Sequence, residues 1–289
     1  MKRIVLFIIP TLIFFSCKKS DTDIIPAPPV PITASTQLNV AYGTDPLQKM
    51  DIYLPADRST ATTKLLIMIH GGGWNTMDKA DLTQYVDTMR KRLPTYAIIN
   101  INYRLATTPL TTFPTQENDV KAAIEFIFSK KSDLLISDKF VLLGVSAGAH
   151  LALLHAYKYS SPVKIKAVVD FFGPADMAAM YNDPASVFAP PASIAQLFNG
   201  ATPTTNPTAY AQSSPINFVT IQSTPTIILH GGTDPLVKVS QATALRGKLL
   251  MAAVPNQYVF YPTEGHGWLG ANLTDSFDKI QAFLAQHVQ

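Results

Sequence analysis

The sequence predicts an α/β domain built on a mostly parallel, eight-stranded sheet flanked by helices. Two patterns and one bulk property carry this. Five apolar runs, 64–70, 96–103, 139–145, 165–172 and 225–230, have strand length and little polar alternation, as expected of strands buried on both faces. Segments of helical period separate most of them, which is the signature of crossover units on a parallel sheet. A chain of 289 residues with 47% hydrophobic residues can also fill the large core such a sheet needs.

The N-terminus reads as an address. Met1-Lys2-Arg3 is a basic start, and Ile4 to Phe15 is apolar apart from Pro10 and Thr11. That stretch is too short for a spanning helix, so residues 1–16 read as a signal peptide. The only cysteine, Cys17, follows at once in Phe14-Phe15-Ser16-Cys17-Lys18-Lys19, which resembles a bacterial lipobox. The resemblance implies lipidation at Cys17 and a lipid-anchored protein of the bacterial cell envelope, meeting the membrane through that N-terminal anchor only. Residues 17–36, with Ile25-Pro26-Ala27-Pro28-Pro29-Val30-Pro31, read as the lipidated cysteine and a flexible tether.

The domain is expected over residues 37–289. Residues 37–43 and 50–54 alternate apolar and polar residues and read as an antiparallel edge pair joined by Thr44-Asp45-Pro46-Leu47. Asp51 is expected to face out. The run 64–70 ends in His70-Gly71-Gly72-Gly73-Trp74. Three glycines after a buried strand suit a loop whose bare N–H groups approach a ligand oxygen. A phosphate cradle would need the following Lys-Ser/Thr, which is missing. Trp74 reads equally well as a wall of a substrate site or as packing. Residues 78–93 form an amphipathic helix, and 96–103 the next strand, ending Asn102-Tyr103-Arg104. Arg104 is expected to pair with a carboxylate or the main chain, and Asp119, on the helix 115–129, to make a scaffold hydrogen bond.

The run 139–145 then leads into Gly144-Val145-Ser146-Ala147-Gly148 and a helix from Ala147 to about Tyr159. This is G-x-S-x-G at a strand-to-helix turn, the nucleophile elbow. Such a turn lifts the serine Oγ out of the sheet at strained backbone angles, and a Cβ two residues to either side would collide with it. The serine also lies at a helix N-terminus, which favours developing negative charge. His150 and His155, on the helix leaving the elbow, are expected to pack and bond locally.

After the strand 165–172 and Gly173-Pro174-Ala175-Asp176 the regular alternation stops. Residues 177–224 are proline-rich but carry Tyr181, Phe188, Phe198, Tyr210 and Phe218, and read as a small cap insertion over the site. The strand 225–230 ends in Gly231-Gly232-Thr233-Asp234. A helix over 240–251, the last strand over 257–261, the loop Glu264-Gly265-His266-Gly267-Trp268 and a helix over 274–287 complete the chain.

A serine nucleophile needs an imidazole base, and the base needs a carboxylate to fix its tautomer. Asp234 and His266 follow successive strands and so leave the same sheet edge as Ser146. Of six histidines, His266 alone lies after Asp234 and in a loop. Asp176 is the alternative acid, and Glu264 reads as a loop residue.

The four motifs, His70 to Trp74, Gly144 to Gly148, His230 to Asp234 and Gly265-His266, in this order, resemble an α/β-hydrolase of the esterase/lipase superfamily over about residues 37–289. The resemblance implies the α/β-hydrolase fold and a serine hydrolase acting through an acyl-enzyme. Ser146 would attack the acyl carbon, His266 take its proton and Asp234 orient His266. The N–H groups of Gly72, Gly73 and Ala147 would hold the oxyanion. Within the superfamily the pattern is also similar to acetyl-xylan/feruloyl esterase-like enzymes and to kynurenine formamidase-like amidases. The short cap and small elbow residues suit esters of small or medium acyl groups, including acyl groups on oligosaccharides.

Other classes fare worse. A net charge of +3 and no basic run interleaved with aromatics argue against nucleic acid. One cysteine rules out an intrachain disulfide or a cysteine-rich metal site, and no ligand cluster or dinucleotide fingerprint implies a metal or organic cofactor. An oligopeptidase of the same fold would be expected to carry a large N-terminal β domain, where a tether is read here. An inactive binding module would be expected to have lost the serine, the histidine or a glycine of the loop.

Overall fold

The computed structural model describes residues 31–289. The signal peptide, Cys17 and residues 17–30 of the tether lie outside the described residues. The folded chain begins before residue 37, earlier than expected. Asp57 N–H donates to Ile32 O at 2.8 Å, Arg58 reaches Thr33 O at 2.7 Å, and β1 (Ser35–Ala41) pairs with β2 (Lys49–Leu54) from Ser35 onward. Main-chain pairing, which composition does not reveal, recruits these polar residues into the sheet.

The remaining strands are β3 (Lys64–Ile69), β4 (Tyr96–Ile101), β5 (Phe140–Val145), β6 (Ala167–Phe171), β7 (Thr226–Gly231) and β8 (Asn256–Tyr261). The sheet order is β1-β2-β4-β3-β5-β6-β7-β8, antiparallel at β1–β2 and β2–β4 and parallel from there to β8. This is the α/β-hydrolase arrangement that the motifs imply. The central strands β3, β4, β5 and β6 are buried almost throughout, which is why they read as continuous apolar runs.

Helices cover both faces. One layer holds α1 (Thr83–Arg92) and α8 (Gly270–His287), whose Val86, Met89, Phe277 and Ile280 pack with Leu66, Ile98 and Leu143 of the sheet. The other holds α2 (Thr115–Ser129), α3 (Ala147–Lys158) and α7 (Val239–Met251), with Ile124, Leu151 and Leu245 against Ile67, Leu142 and Ile228. The insertion between β6 and β7 forms α4 (Met177–Asn182), α5 (Pro191–Gln196) and α6 (Pro207–Gln212). Its Ile194, Phe198 and Tyr210 join this second core layer, so its aromatics do impose order.

Two charged clusters brace the frame. Asp51 is not on the surface, as its alternation pattern suggested. It is buried and pairs with Lys79 at 3.0 Å, because the segment after the glycine loop folds down over β2. Asp119 accepts from the Arg104 side chain at 2.6 and 2.9 Å, from Arg104 N–H at 2.8 Å and from Gln48 at 2.8 Å. A buried carboxylate with this many donors is a scaffold bond, as expected of Asp119 and Arg104.

Candidate functional site

The elbow sits where β5 turns into α3. Ser146 has φ 56° and ψ −119°, a strained conformation for a residue with a side chain. Close packing around it holds the strain. A Cβ on Gly144 would lie 2.2 Å from the carbonyl oxygen of Gly148, and one on Gly148 would lie 2.1 Å from that of Ile69. Ser146 N–H donates to Phe171 O at 2.8 Å, and Ser146 O accepts His150 N–H at 3.0 Å. Both ends of the residue are thereby fixed, and Oγ stands clear of the sheet.

His266 bridges the other two residues of the trio. Its Nε2 lies 2.8 Å from Ser146 Oγ, and its Nδ1 lies 2.7 Å from Asp234 Oδ2. With Nδ1–H donating to the carboxylate, Nε2 is left as the acceptor facing the serine hydroxyl. The loop after β7 holds Asp234: its Oδ1 accepts the N–H groups of Leu236 at 2.8 Å and Val237 at 2.9 Å. His230 donates from Nε2 to Val237 O at 2.9 Å, and burial lowers its pKa, so it backs this loop as a neutral ring. Phe172 packs on His266 with ring centroids 4.5 Å apart. Asp176, the alternative acid, instead caps α4 by accepting Ala179 N–H. Glu264 accepts from Asn272, in keeping with a loop role.

The glycine loop lies beside the elbow. Gly72, Gly73 and Trp74 all have positive φ, of 89°, 55° and 64°, so the chain turns sharply here. A Cβ on Gly72 would lie 2.3 Å from Thr76 O, which makes that glycine obligatory. The turn is braced from below. Tyr103 OH is shared between Gly71 O at 2.9 Å and His70 O at 3.1 Å, and its ring stacks on His70 at 4.3 Å. The N–H groups of Gly72 and Gly73 have no acceptor among the described residues, and both glycines line the cavity that contains Ser146 and His266. Ala147 opens α3, so its N–H has no intrahelical acceptor, while its side chain is buried. Such free donors beside a serine can stabilise charge that develops on a carbonyl oxygen.

Two expectations are corrected. Trp74 is not a wall of the site: it is 4% exposed, and its Nε1–H donates to His150 Nδ1 at 3.1 Å. Its positive φ turns the ring inward under the glycine loop. Nor does the insertion cap the mouth. None of its residues, 177–224, lines the cavity: Ile194, Phe198 and Tyr210 pack into the second core layer, while Val187, Phe188 and Ile221 are exposed. The cavity, about 680 Å³, has walls from the loop and helix after the glycines and from the loop around His266. Leu82, Tyr85, Phe172 and Trp268 form much of its apolar lining.

His150 packs and bonds locally, as expected; His155 packs as expected, but neither of its ring nitrogens finds a hydrogen-bond partner among the described residues. His150 accepts from Trp74 and donates from Nε2 to Ser213 O at 2.7 Å; burial holds its pKa down to about 4. His155 is buried with its pKa likewise lowered to about 4 by burial, with Lys121 adding to it. Sequence reasoning missed Phe172, Tyr103 and Tyr85 at the site. Phe172 follows a strand end and Tyr103 closes a strand, positions a topology guess could have flagged; Tyr85 looked like one more apolar residue of a helix face.

The chain as a whole is similar to known proteins. The chain is 27% identical to esterase LipC of Mycobacterium tuberculosis, over 86% of this chain and 64% of that protein. It is 26% identical to the probable carboxylic ester hydrolase LipM of the same organism, over 82% of this chain and 58% of that protein. It thus spans about three-fifths of the length of these curated relatives. Among solved structures, a truncated form of a carbohydrate esterase from gut microbiota superposes with a TM-score of 0.77 at 26% identity, covering 89% of this chain and 97% of that one. A family model, BD-FAE, matches residues 50–249, and the chain belongs to the BD-FAE family.

Proposed function

We propose that the protein is a serine hydrolase of carboxylic esters that works through a Ser146–His266–Asp234 triad. The observation that carries this is the hydrogen-bonded line from Ser146 Oγ through His266 to Asp234, at 2.8 and 2.7 Å. In the proposed cycle Ser146 Oγ bonds to the ester carbonyl carbon as its proton passes to His266 Nε2. The carbonyl oxygen, now negative, is held by the N–H groups of Gly72, Gly73 and Ala147. The intermediate collapses, the carbon–alkoxy bond breaks, and His266 protonates the departing alcohol. Water, deprotonated by His266, then adds to the acyl carbon; the bond to Ser146 Oγ breaks, His266 returns the proton to Oγ and the acid leaves. Asp234 stabilises the imidazolium that forms in each half.

Esters of small or medium acyl groups, including acyl groups on carbohydrates, are the substrates this reading favours. The likeness to esterases and to a carbohydrate esterase structure supports it. Anchoring through a lipidated Cys17 in the cell envelope belongs to the same proposal. Purified residues 20–289 should hydrolyse p-nitrophenyl acetate and butyrate faster than aminoacyl nitroanilides. Ester hydrolysis that persists at the wild-type rate in Ser146→Ala would remove the mechanism. A stronger rate on the nitroanilides would move the protein to the peptidase side of the fold. Cys17→Ser should abolish acylation and membrane attachment of the full chain.

A further inference from the structure

At the end of the sheet opposite Ser146 the strands begin in lysines. Lys64 opens β3, Lys139 precedes β5 and Lys166 precedes β6. Their registers bring them together. β3 and β5 pair Leu65 with Phe140, so Lys64 and Lys139 stand side by side on strands about 4.8 Å apart. On the other side of β5, Lys166 N–H donates to Phe140 O at 2.8 Å. The connections at this end add Lys91, Lys131 and Lys164. None of these lysines has a carboxylate partner among the described residues. Asp87, Asp133 and Asp278 are taken up by Arg90, Lys130 and Arg92. The acids left at this end are Asp57, Asp138 and the C-terminal carboxylate, so positive charge is in excess. Lys91 lies in the last turn of α1, where a cation suits the helix dipole. The strand lysines have no such reason, and like charges on adjoining strands repel. The chain also enters the domain at this end. Ser35 pairs with Leu54, β2 runs antiparallel to β4, and Lys64 pairs with Tyr96 at the start of β4, so Ser35 is nearly level with Lys64. β5 is 6 residues long, which puts Ser146 about 20 Å away at its far end.

We propose that this lysine-bearing end is a docking surface for a bilayer containing anionic phospholipid, and that the domain rests on it with Ser146 turned to the water. The inference rests on the proposed anchoring through Cys17 and adds which face of the domain meets the membrane. Phosphate groups of the lipid relieve the repulsion within the lysine row. The cost of bringing the two together is small, because a chain of residues 17–34 spans at most about 60 Å even when fully extended. An anchored protein is therefore held at high local concentration over the bilayer, and a weak contact suffices. Each lysine near an anionic surface strengthens the contact about fivefold, and the effect falls off as salt screens it.

Residues 20–289 carry no cysteine, so their binding to vesicles reads this surface without the anchor. Co-sedimentation with vesicles of phosphatidylcholine containing about a third phosphatidylglycerol should exceed that with phosphatidylcholine alone by about tenfold or more, and should fade as salt rises. Lys91→Glu with Lys164→Glu, both exposed, should weaken binding to the anionic vesicles by about tenfold or more. Lys139→Glu with Lys166→Glu should do the same within the strand row. Lys49→Glu with Lys238→Glu makes the same charge change at the end that carries Ser146, and should leave binding near the wild type. None of the substituted lysines lines the Ser146 cavity, so hydrolysis of p-nitrophenyl acetate should persist in every variant and report that it is folded. It should also persist on the vesicles, because the cavity faces away from them. Equal binding to the two kinds of vesicle, or equal losses from substitutions at the two ends, would overturn the inference. Hydrolysis suppressed by vesicle binding would overturn the orientation. None of these failures touches the anchor, which is read separately from acylation of the full chain and its Cys17→Ser variant.

Discussion

Trp74 donates its indole N–H to Nδ1 of His150 across 3.1 Å, and His150 passes the connection on by donating from Nε2 to Ser213 O at 2.7 Å. The glycine loop, the helix leaving the elbow and the insertion are thereby tied through one buried histidine. The bond also fixes the tautomer of His150, since its Nδ1 accepts and its Nε2 donates.

Trp74→Phe keeps most of the ring volume but leaves Nδ1 of His150 buried without a donor. It should lower unfolding stability by about 1–3 kcal/mol, read by urea denaturation. Selectivity between acetyl and butyryl esters should stay as in the wild type, because the ring does not line the cavity. A change in acyl preference with stability intact would return Trp74 to the substrate wall.

Tyr103→Phe should uncouple the glycine loop from its brace. Gly71 O and His70 O lose their shared donor, while the stacking on His70 is retained. Misplacing the free N–H groups of Gly72 and Gly73 weakens stabilisation of the oxyanion more than ground-state binding. Steady-state kinetics should therefore show kcat falling about tenfold or more, with KM little changed. An effect confined to KM would contradict this role.

Asp170 gives the fold a pH dependence. It is fully buried on β6, its Oδ1 accepts Gly173 N–H at 2.7 Å, and its Oδ2 has no partner among the described residues. Burial raises its pKa from 3.8 to about 7. The native state therefore binds this proton more tightly than the unfolded chain does. Between about pH 4 and 7 the unfolded state loses the proton first, so stability falls as pH rises, and the loss levels off above the native pKa. Asp170→Asn cannot titrate. The difference in Tm between Asp170→Asn and wild type should move in favour of the variant from pH 4 to 7 and then flatten. A difference that is constant with pH would show that Asp170 does not titrate in this range.

The elbow glycines should be far less replaceable than Gly265. A Cβ on Gly144 would lie 2.2 Å from backbone, whereas one on Gly265, next to His266, meets nothing within 4 Å. Gly144→Ala should yield little folded protein, as judged by soluble expression and circular dichroism. Gly265→Ala should fold with a Tm near that of the wild type. Equal tolerance at both sites would mean that the elbow relaxes more readily than its packing implies.

Much of this architecture was legible in the sequence, for physical reasons that differ by element. β3, β5 and β6 announced themselves because strands covered on both faces must be apolar at nearly every position. Ser146, Asp234 and His266 could be picked out because glycine-flanked loops after parallel strands converge on one edge of the sheet. The start of β1 could not, since Ser35 and Thr36 join through main-chain bonds that carry no side-chain signal. Asp51 looked like an outward residue because alternation reports the two faces of a strand and not what later covers them; Lys79 does. The insertion was misplaced over the mouth for a similar reason. Phe198 and Tyr210 signal order, but composition does not tell which surface an aromatic packs against.

In the proposed mechanism Ser146 is the one nucleophile, activated by His266. Treating residues 20–289 with a fluorophosphonate and mapping the adduct by peptide mass spectrometry tests it most directly. A single phosphonyl group should form on the peptide carrying Ser146, rapidly in the wild type and at least a hundredfold more slowly in His266→Ala. Labelling at another residue, or labelling of Ser146 at the same rate without His266, would contradict it.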